Sequence, residues 1–232
     1  LRPIKKEIQI VAVGDIMLGT DYPSSKYLPP NDDCSFMLDK TSSYIQDADL
    51  SFGNLEGALI NGGKMAKSCK DTLKCYAFRM PERYASTLSD AGFDILSLAN
   101  NHSGDFGNEG RMKTMKILDS LEIQYAGLEL KPKAEFIKDG VRYGFVAFAP
   151  NKGTVDLLKT DEAIKIVKGL DERNDIVIVS FHGGAEGKDY QHLTKATEKF
   201  YGEDRGNVHS FAHQMVDAGA DLIFGHGPHV TR

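Results

Sequence analysis

Several features that would assign a sequence to a class at once are absent from this chain of 232 residues. No stretch of about 18 consecutive apolar residues occurs, so no segment has the composition of a membrane-spanning helix. Basic residues do not dominate, because 28 lysines and arginines stand against 33 acidic residues. The resulting net charge of −5 gives no electrostatic reason to expect binding to nucleic acid or to an anionic membrane surface.

Cysteine is scarce, with three in the chain, and none of them belongs to a C-x-x-C motif. This excludes the usual zinc-knuckle and dithiol redox patterns. Cys69 and Cys75 lie six apart in a lysine-rich connection, where a small loop disulfide and two free thiols are both compatible with the spacing. The sequence motifs of serine hydrolases, nucleotide kinases and dinucleotide-dependent dehydrogenases are absent as well.

What is present is a regular alternation of strand-like and helix-like segments, which predicts an α/β fold with two mixed sheets packed face to face and helices outside. No repeat or linker divides the chain, so we expect a single domain over residues 1–232. The predicted strands are residues 8–13, 49–53, 93–99, 123–126, 135–138, 141–148, 176–181 and 221–224. The predicted helices are residues 36–45, 81–92, 160–170 and 207–218, with a further helix marked by Met112, Met115, Leu118 and Leu121.

Local signals refine some of these elements. Asp139-Gly140 between two apolar runs favours a type I′ turn and therefore a β-hairpin. Pro81 suits the first turn of its helix, and Thr160 or Asp161 suits the cap of the helix that follows the hairpin. The helix over residues 207–218 is expected to bury Val208, Phe211, Ala212, Met215 and Val216.

Polar side chains follow four of the predicted strands. Asp15 comes after the first strand, Asn100-Asn101-His102 after the third, His182 after the strand 176–181, and His226 and His229 after the last. Taken singly, Asp15 suits a turn cap, Glu56 a solvated carboxylate and His182 a hydrogen-bonded core histidine. Together these residues form the ligand set of borderline divalent metals, at the strand ends where open α/β sheets place their ligands.

His209 and His213 show the i, i+4 spacing of a helical zinc pair. Ser210 stands where the catalytic glutamate of the H-E-x-x-H motif would be. Both histidines lie off the apolar stripe of their helix, so the sequence indicates solvated surface residues.

Five motifs, in this order, carry a family resemblance that covers essentially the whole chain. They are Gly14-Asp15-Ile16-Met17-Leu18-Gly19, Gly53-Asn54-Leu55-Glu56, Leu98-Ala99-Asn100-Asn101-His102 with Asp105 and Gly107, His182-Gly183-Gly184-Ala185-Glu186, and Gly225-His226-Gly227-Pro228-His229-Val230. The chain resembles the calcineurin-like metallophosphoesterase superfamily. It is more closely similar to the CapA branch, the bacterial capsule or poly-γ-glutamate biosynthesis proteins.

This resemblance implies a four-layer αββα sandwich and a centre of two divalent metal ions, which the ligand types allow to be Mn, Fe or Zn. Two such ions activate a water and clamp phosphoryl oxygens. Carried over, the implied metal ligands are Asp15, Glu56, Asn101, His182, His226 and His229. His102 is the implied residue that protonates a leaving oxygen or stabilises the transition state, and Asp105 and Glu186 are implied to orient imidazoles.

The resemblance also implies a function: a metal-dependent hydrolase of the metallophosphoesterase type, acting extracytoplasmically at the cell envelope. Its expected partners are the capsule or poly-γ-glutamate polymer, or a phosphorylated small substrate, and membrane synthase subunits. Two alternatives stay open, a non-catalytic accessory subunit that binds the polymer or its synthase, and a general phosphoesterase for small substrates.

The chain departs from the superfamily at identifiable positions. Met17 stands where most members have a histidine, Asn54 and Glu56 replace aspartates, and Pro228 separates the last two histidines. Gly183 and Gly187 stand where the branch usually has Trp and Tyr. Because the chain opens on Leu1 and stops just after the last motif, we expect a trimmed product that is truncated at the C-terminus.

Overall fold

The computed structural model describes residues 7–68 and 75–232. Their backbone divides into two compact units. The first, called the N-terminal unit, comprises Glu7–Leu96 and Asn101–Tyr125. The second, called the C-terminal unit, comprises Ser97–Asn100 and Ala126–Arg232. The expectation of a single domain over residues 1–232 stays a prediction.

The alternation of strands and helices is confirmed, and the fold is of the α/β class. The described strands are β1 Ile10–Ile16, β2 Leu50–Leu55, β3 Ala58–Leu59, β4 Arg79–Met80, β5 Ile95–Ser97, β6 Gln124–Ala126, β7 Lys133–Lys138, β8 Val141–Phe148, β9 Ile176–His182, β10 Lys199–Phe200, β11 Glu203–Asp204 and β12 Leu222–His226. The α-helices are α1 Ser42–Gln46, α2 Ala85–Asp90, α3 Gly107–Ser120, α4 Thr160–Asp171 and α5 Val208–Asp217.

One four-stranded sheet has the order β1-β2-β5-β6. Its strands β1 and β2 pair in parallel, with a register shift between Ala12 and Asp15. The first strand was predicted to end at Val13, whereas β1 continues to Ile16 and contains Asp15. Pairing with β2 resumes beyond the irregularity, where Asp15 is the register partner of Asn54. Asp15 is thereby held by sheet hydrogen bonding.

The second four-stranded sheet, in the C-terminal unit, has the order β12-β9-β8-β7. Strands β12 and β8 both pair in parallel with β9, and β7 pairs antiparallel with β8, so this sheet is mixed. The hairpin prediction is confirmed, because Asp139 and Gly140 adopt positive φ angles of 50° and 85° between β7 and β8. Packing of two sheets face to face stays a prediction.

The C-terminal unit has a continuous apolar core between this sheet and helices α4 and α5. Its members come from β8, β9 and both helices, and include Phe148, Val167, Val179, Phe211 and Met215. Phe211 lies edge-on against both Phe148 and Phe181, with ring centroids 5.3 and 5.7 Å apart. This core fixes the direction in which β9 ends, and with it the position of His182.

Several predicted helices need correction. The helix over residues 36–45 is broken into a 3-10 turn at Ser35–Met37 and the short α1. The hydroxyls of Thr41 and Ser42 donate to the carbonyls of Leu38 and Asp39, three residues earlier, which competes with continuous helix formation. Pro81 does not occupy a first turn, because it has an extended ψ of 139° and precedes the 3-10 turn Glu82–Tyr84 that leads into α2.

Burial within the helices also differs in part from the predicted stripes. Met112 is exposed on α3, whose buried face consists of Gly110, Thr114 and Leu118 at a spacing of four. Val216 is exposed on α5. Neither Thr160 nor Asp161 is the N-cap of α4, because that position is Lys159. Tertiary contacts select one side of each helix, and apolar residues on its edge remain in solvent.

For the pair Cys69 and Cys75, the sequence left a loop disulfide and two free thiols open. Cys75 is disulfide-bonded, while Cys69 lies outside the described residues. Cys34 is a buried free thiol. It lies 3.1 Å from the hydroxyl of Thr87, and burial raises the pKa of the thiol.

Candidate metal-binding and acid–base residues

The site residues predicted from the sequence fall into two clusters, one in each unit. We call Asp15, Glu56, Asn101, His102 and Asp105 the N-terminal cluster. We call His182, Glu186, His226 and His229 the C-terminal cluster. Each cluster is described within its own unit.

In the N-terminal cluster, Asp15 and Asn54 lie side by side on parallel strands. They are direct partners in the register of β1 and β2, and the Asn54 amide donates to Oδ1 of Asp15 over 2.7 Å. Asn54 is fully buried, so this hydrogen bond holds the exposed carboxylate in one orientation. Glu56 follows directly after β2, where its backbone N–H donates to the Ile16 carbonyl and its side chain is buried.

Asn101 carries the clearest sign of a ligand-binding position. Its side-chain oxygen Oδ1 is buried and has no hydrogen-bond partner among the described residues. A buried amide oxygen without a partner loses about 1–3 kcal/mol of solvation unless another group binds it. An amide oxygen near carboxylates suits a hard or borderline divalent cation. The residue types and this oxygen therefore fit the metal ligands that the sequence resemblance implies.

His102 and Asp105 form a buried acid–base pair three residues apart. Nδ1 of His102 lies 2.7 Å from Oδ2 of Asp105, and their side chains are 7% and 1% exposed. The turn after β5 brings them together, because the Asp105 N–H donates to the His102 carbonyl. With Nδ1 engaged by the carboxylate, Nε2 is the nitrogen through which this imidazole could give or take a proton.

Two residues that the sequence did not single out complete this pair. The ring of Phe78 stacks on the His102 ring at 3.8 Å, and the Phe78 backbone N–H donates to Oδ2 of Asp105 over 2.7 Å. Nζ of Lys67 lies 3.2 Å from Oδ1 of Asp105 and 3.3 Å from Nδ1 of His102. Lys67 is anchored there because its own N–H and that of Ala66 donate to the Asp105 carbonyl.

No local sequence signal identifies these two residues. Lys67 lies 35 residues before His102, in a lysine-rich segment that the sequence indicated only as a loop. Phe78 lies 27 residues before Asp105 and contributes a backbone group, which any residue type except proline carries.

The C-terminal cluster begins with two histidines on neighbouring strands. His182 ends β9 and His226 ends β12, and the two are partners in the parallel register. The Gly183 N–H donates to the His226 carbonyl over 3.0 Å, which continues the pairing past the strand ends. His182 is fully buried and His226 is 7% exposed. Two imidazoles are thereby presented at the same carboxyl edge of one sheet, as the sequence predicted for parallel strands.

Glycines around this pair leave no room for side chains. A Cβ on Gly227 would lie 3.0 Å from both Cδ2 and Nε2 of His182, and Gly227 has a φ of +102° that L-residues rarely adopt. A Cβ on Gly225 would lie 2.7 Å from the Phe181 ring. The edge of the His182 ring is thus packed against the backbone at Gly227.

Glu186 and His229 are arranged differently from the histidine pair. Oε1 of Glu186 accepts from the buried guanidinium of Arg205 over 2.6 Å, and Arg205 also donates to the Gly184 carbonyl. His229 is half exposed, and its Nδ1 lies 3.9 Å from Oε2 of Glu186, beyond hydrogen-bond distance. The firm partner of Glu186 is therefore Arg205, a contact that the sequence did not indicate.

Taken together, the fold and these clusters define an α/β protein that presents carboxylate, amide and imidazole donors from its strand ends. A family model described as "Bacterial capsule synthesis protein PGA_cap" matches residues 9–232. The chain therefore belongs to this family, and its predicted resemblance to the CapA branch is confirmed.

Two curated relatives carry names consistent with this family. The chain is 26% identical to "Capsule biosynthesis protein CapA" of Bacillus anthracis, over 98% of its own length. It is 29% identical to "PGA biosynthesis protein CapA" of Bacillus subtilis (strain 168), over 94% of its length. In both cases it spans only 56% of the relative.

Among solved structures, the chain is similar in fold to a hypothetical protein from Thermus thermophilus. The TM-score is 0.52 and the identity 17%, with 96% of this chain and 68% of the other covered. Within residues 7–68 and 75–232, no helix has the length and apolar character needed to cross a bilayer.

Proposed function

We propose that this chain is a divalent-metal-dependent hydrolase domain of the phosphoesterase type, which acts in capsule or poly-γ-glutamate biosynthesis. The observation that carries the proposal is the juxtaposition, within one turn, of the unsatisfied buried oxygen of Asn101 and the buried His102–Asp105 pair. A cation ligand next to a histidine that is oriented by a carboxylate is the combination that metal-assisted phosphoester cleavage requires.

The residues that would hold the metal are Asp15, Glu56 and Asn101 in the N-terminal cluster, and His182, His226 and His229 in the C-terminal cluster. Their oxygen and nitrogen donors suit Mn, Fe or Zn. When bound, divalent ions supply an activated water and positive charge for the phosphoryl oxygens. His229 is half exposed, whereas His182 and His226 are buried.

His102 would hold the proton that the leaving oxygen needs, on Nε2. Asp105 keeps Nδ1 engaged, and stacking on Phe78 prevents rotation of the ring. Lys67 balances the negative charge of Asp105 and keeps that carboxylate from turning away. On the other unit, Arg205 would keep Glu186 in place beside His229.

The biological setting rests on the family and on the relatives' printed names, which refer to capsule and PGA biosynthesis. We propose an extracytoplasmic location at the cell envelope, with the polymer, a phosphorylated small substrate and membrane synthase subunits as partners. The four-layer αββα sandwich belongs to the same proposal, supported by the five sequence motifs.

Metal analysis combined with turnover of a chromogenic phosphodiester tests this function. We expect the wild-type chain to bind divalent metal at micromolar Mn²⁺ or Zn²⁺ and to hydrolyse the diester. Asp15→Ala and His182→Ala should abolish turnover and lower the amount of bound metal, while His192→Ala, at an exposed histidine outside both clusters, should change neither. A chain that binds no metal contradicts the proposal. A chain that binds metal and a synthase subunit but hydrolyses nothing would instead be the accessory protein.

A further inference from the structure

A cavity of about 430 Å³ opens in the C-terminal unit, beside helix α5 and the end of β12. Among the described residues that line it, none is acidic, and its polar groups are three imidazoles, the Thr231 hydroxyl and the guanidinium of Arg232. Arg232 is already paired with the buried Glu198, at 3.0 Å. Two of the lining imidazoles, those of His209 and His213, lie on α5 and have no role in the proposed hydrolase.

The two imidazoles are neighbours on one face of α5. They lie one helical turn apart, and their ring centroids are 4.4 Å apart with an interplanar angle of 32°. Within the described part of the chain, neither ring forms a hydrogen bond or an ion pair. Four ring nitrogens therefore lie close together at the wall of a cavity, with no partner among those residues.

The charge of this pair distinguishes between two kinds of ligand. A neutral imidazole is a metal ligand, whereas binding of an anion requires the protonated form. The lining has no carboxylate among its described residues that would stabilise the protonated pair.

We propose that His209 and His213 together bind one divalent transition-metal ion of the zinc, copper or nickel class. Imidazole pairs at i, i+4 on a helix can occupy two neighbouring positions of such an ion. Water, or a ligand in the cavity, completes the coordination. Because Ser210 replaces the glutamate of the H-E-x-x-H motif, no general base accompanies the pair, and the site binds metal without hydrolysing a peptide.

Zn²⁺ binding by the full chain, measured by equilibrium dialysis, tests this site. The Asp15→Ala/His182→Ala variant removes ligands of the proposed hydrolase and should retain one bound equivalent. Adding either His209→Ala or His213→Ala should abolish that equivalent, whereas adding His192→Ala should not. If the background variant binds no Zn²⁺, or if binding survives loss of both α5 histidines, the proposal is wrong.

A second measurement does not depend on the folding of the background variant. One equivalent of Cu²⁺ is added to wild type and to the His209→Gln/His213→Gln variant. The electron paramagnetic resonance spectra of the bound Cu²⁺ are then compared. We expect wild type alone to show a Cu²⁺ population coordinated by two imidazole nitrogens that is unaffected by His182→Ala. Identical spectra from the two proteins would overturn the assignment. Neither readout involves turnover. The metal site at His209 and His213 is therefore tested independently of the proposed hydrolase.

Discussion

The two clusters hold their imidazoles by different physical means. In the N-terminal cluster, His102 is fixed by side-chain and backbone contacts from distant parts of the chain: the Asp105 carboxylate, the Phe78 ring and the Lys67 ammonium group. In the C-terminal cluster, His182 and His226 are fixed by the register of two adjacent parallel strands, and Gly227 packs against the His182 ring.

This difference indicates where each cluster is vulnerable. A network of buried charges and hydrogen bonds fails when one partner is removed, because the others are left buried and unsatisfied. Histidines placed by strand register tolerate side-chain changes nearby, but not a change that alters the backbone around them. Substitutions chosen for each mechanism should therefore produce different combinations of lost stability, lost metal and lost turnover.

The largest effect on stability is expected from Asp105→Ala. It removes the acceptor of the Phe78 N–H and the ion-pair partner of Lys67. Breaking a buried pair in this way should lower the free energy of unfolding by about 3 kcal/mol, measured by urea denaturation. The exposed Asp39, replaced in the same way, serves as the control and should change stability by less than about 0.5 kcal/mol. A similarly small effect of Asp105→Ala would show that the network is not cooperative.

His102→Ala should act on the chemistry rather than on the metal. Removal of a general acid lowers turnover by roughly 10²-fold, while the bound metal measured by elemental analysis should stay as in wild type. His192→Ala is the matched histidine control. Loss of metal in His102→Ala would mean that His102 is itself a ligand and that its assigned role is wrong.

Gly227→Ala tests the backbone-defined cluster. The new Cβ would contact the His182 ring. The alanine would also have to adopt a φ near +102°, which costs about 1–2 kcal/mol for an L-residue. We expect a lower urea midpoint together with reduced metal binding. Gly187→Ala is a close control, because Gly187 has a φ of +97° but an added Cβ there meets nothing within 4 Å. Equal metal binding by both variants would show that contact with the His182 ring does not matter.

The smallest effect concerns an exposed ion pair outside both clusters. Hydrogen bonds from Arg173 and then Lys133 lower the pKa of Glu135 from its ordinary value of 4.5 to about 2. A lowered pKa contributes stability that is fully present above pH 4.5 and is lost as the pH falls towards 2. Glu135→Gln should therefore be slightly less stable than wild type at about pH 7, and the two thermal unfolding curves should converge near pH 2. Glu129→Gln replaces an exposed carboxylate of the same unit and serves as the control. Its difference in thermal stability from wild type should not change with pH.

Sequence patterns were sufficient where local chemistry decides the structure. Asp139-Gly140 predicted its hairpin because the turn depends only on residues that tolerate positive φ angles. They were insufficient for residues 36–45, whose predicted helix is interrupted by hydroxyl-to-carbonyl bonds between residues three apart. The exposure of Met112 and Val216 has a different origin, since neighbouring elements decide which side of an amphipathic helix is covered.

The sequence by itself determined the family, the alternation of strands and helices, and the residue types placed at the strand ends, because these depend on periodicity and on short motifs. Only the tertiary structure decided that Lys67 and Phe78 hold the His102–Asp105 pair, that Arg205 holds Glu186, and that His209 and His213 lie beside a cavity. Contacts between residues tens of positions apart depend on how the chain returns on itself, and one sequence records no local pattern for them.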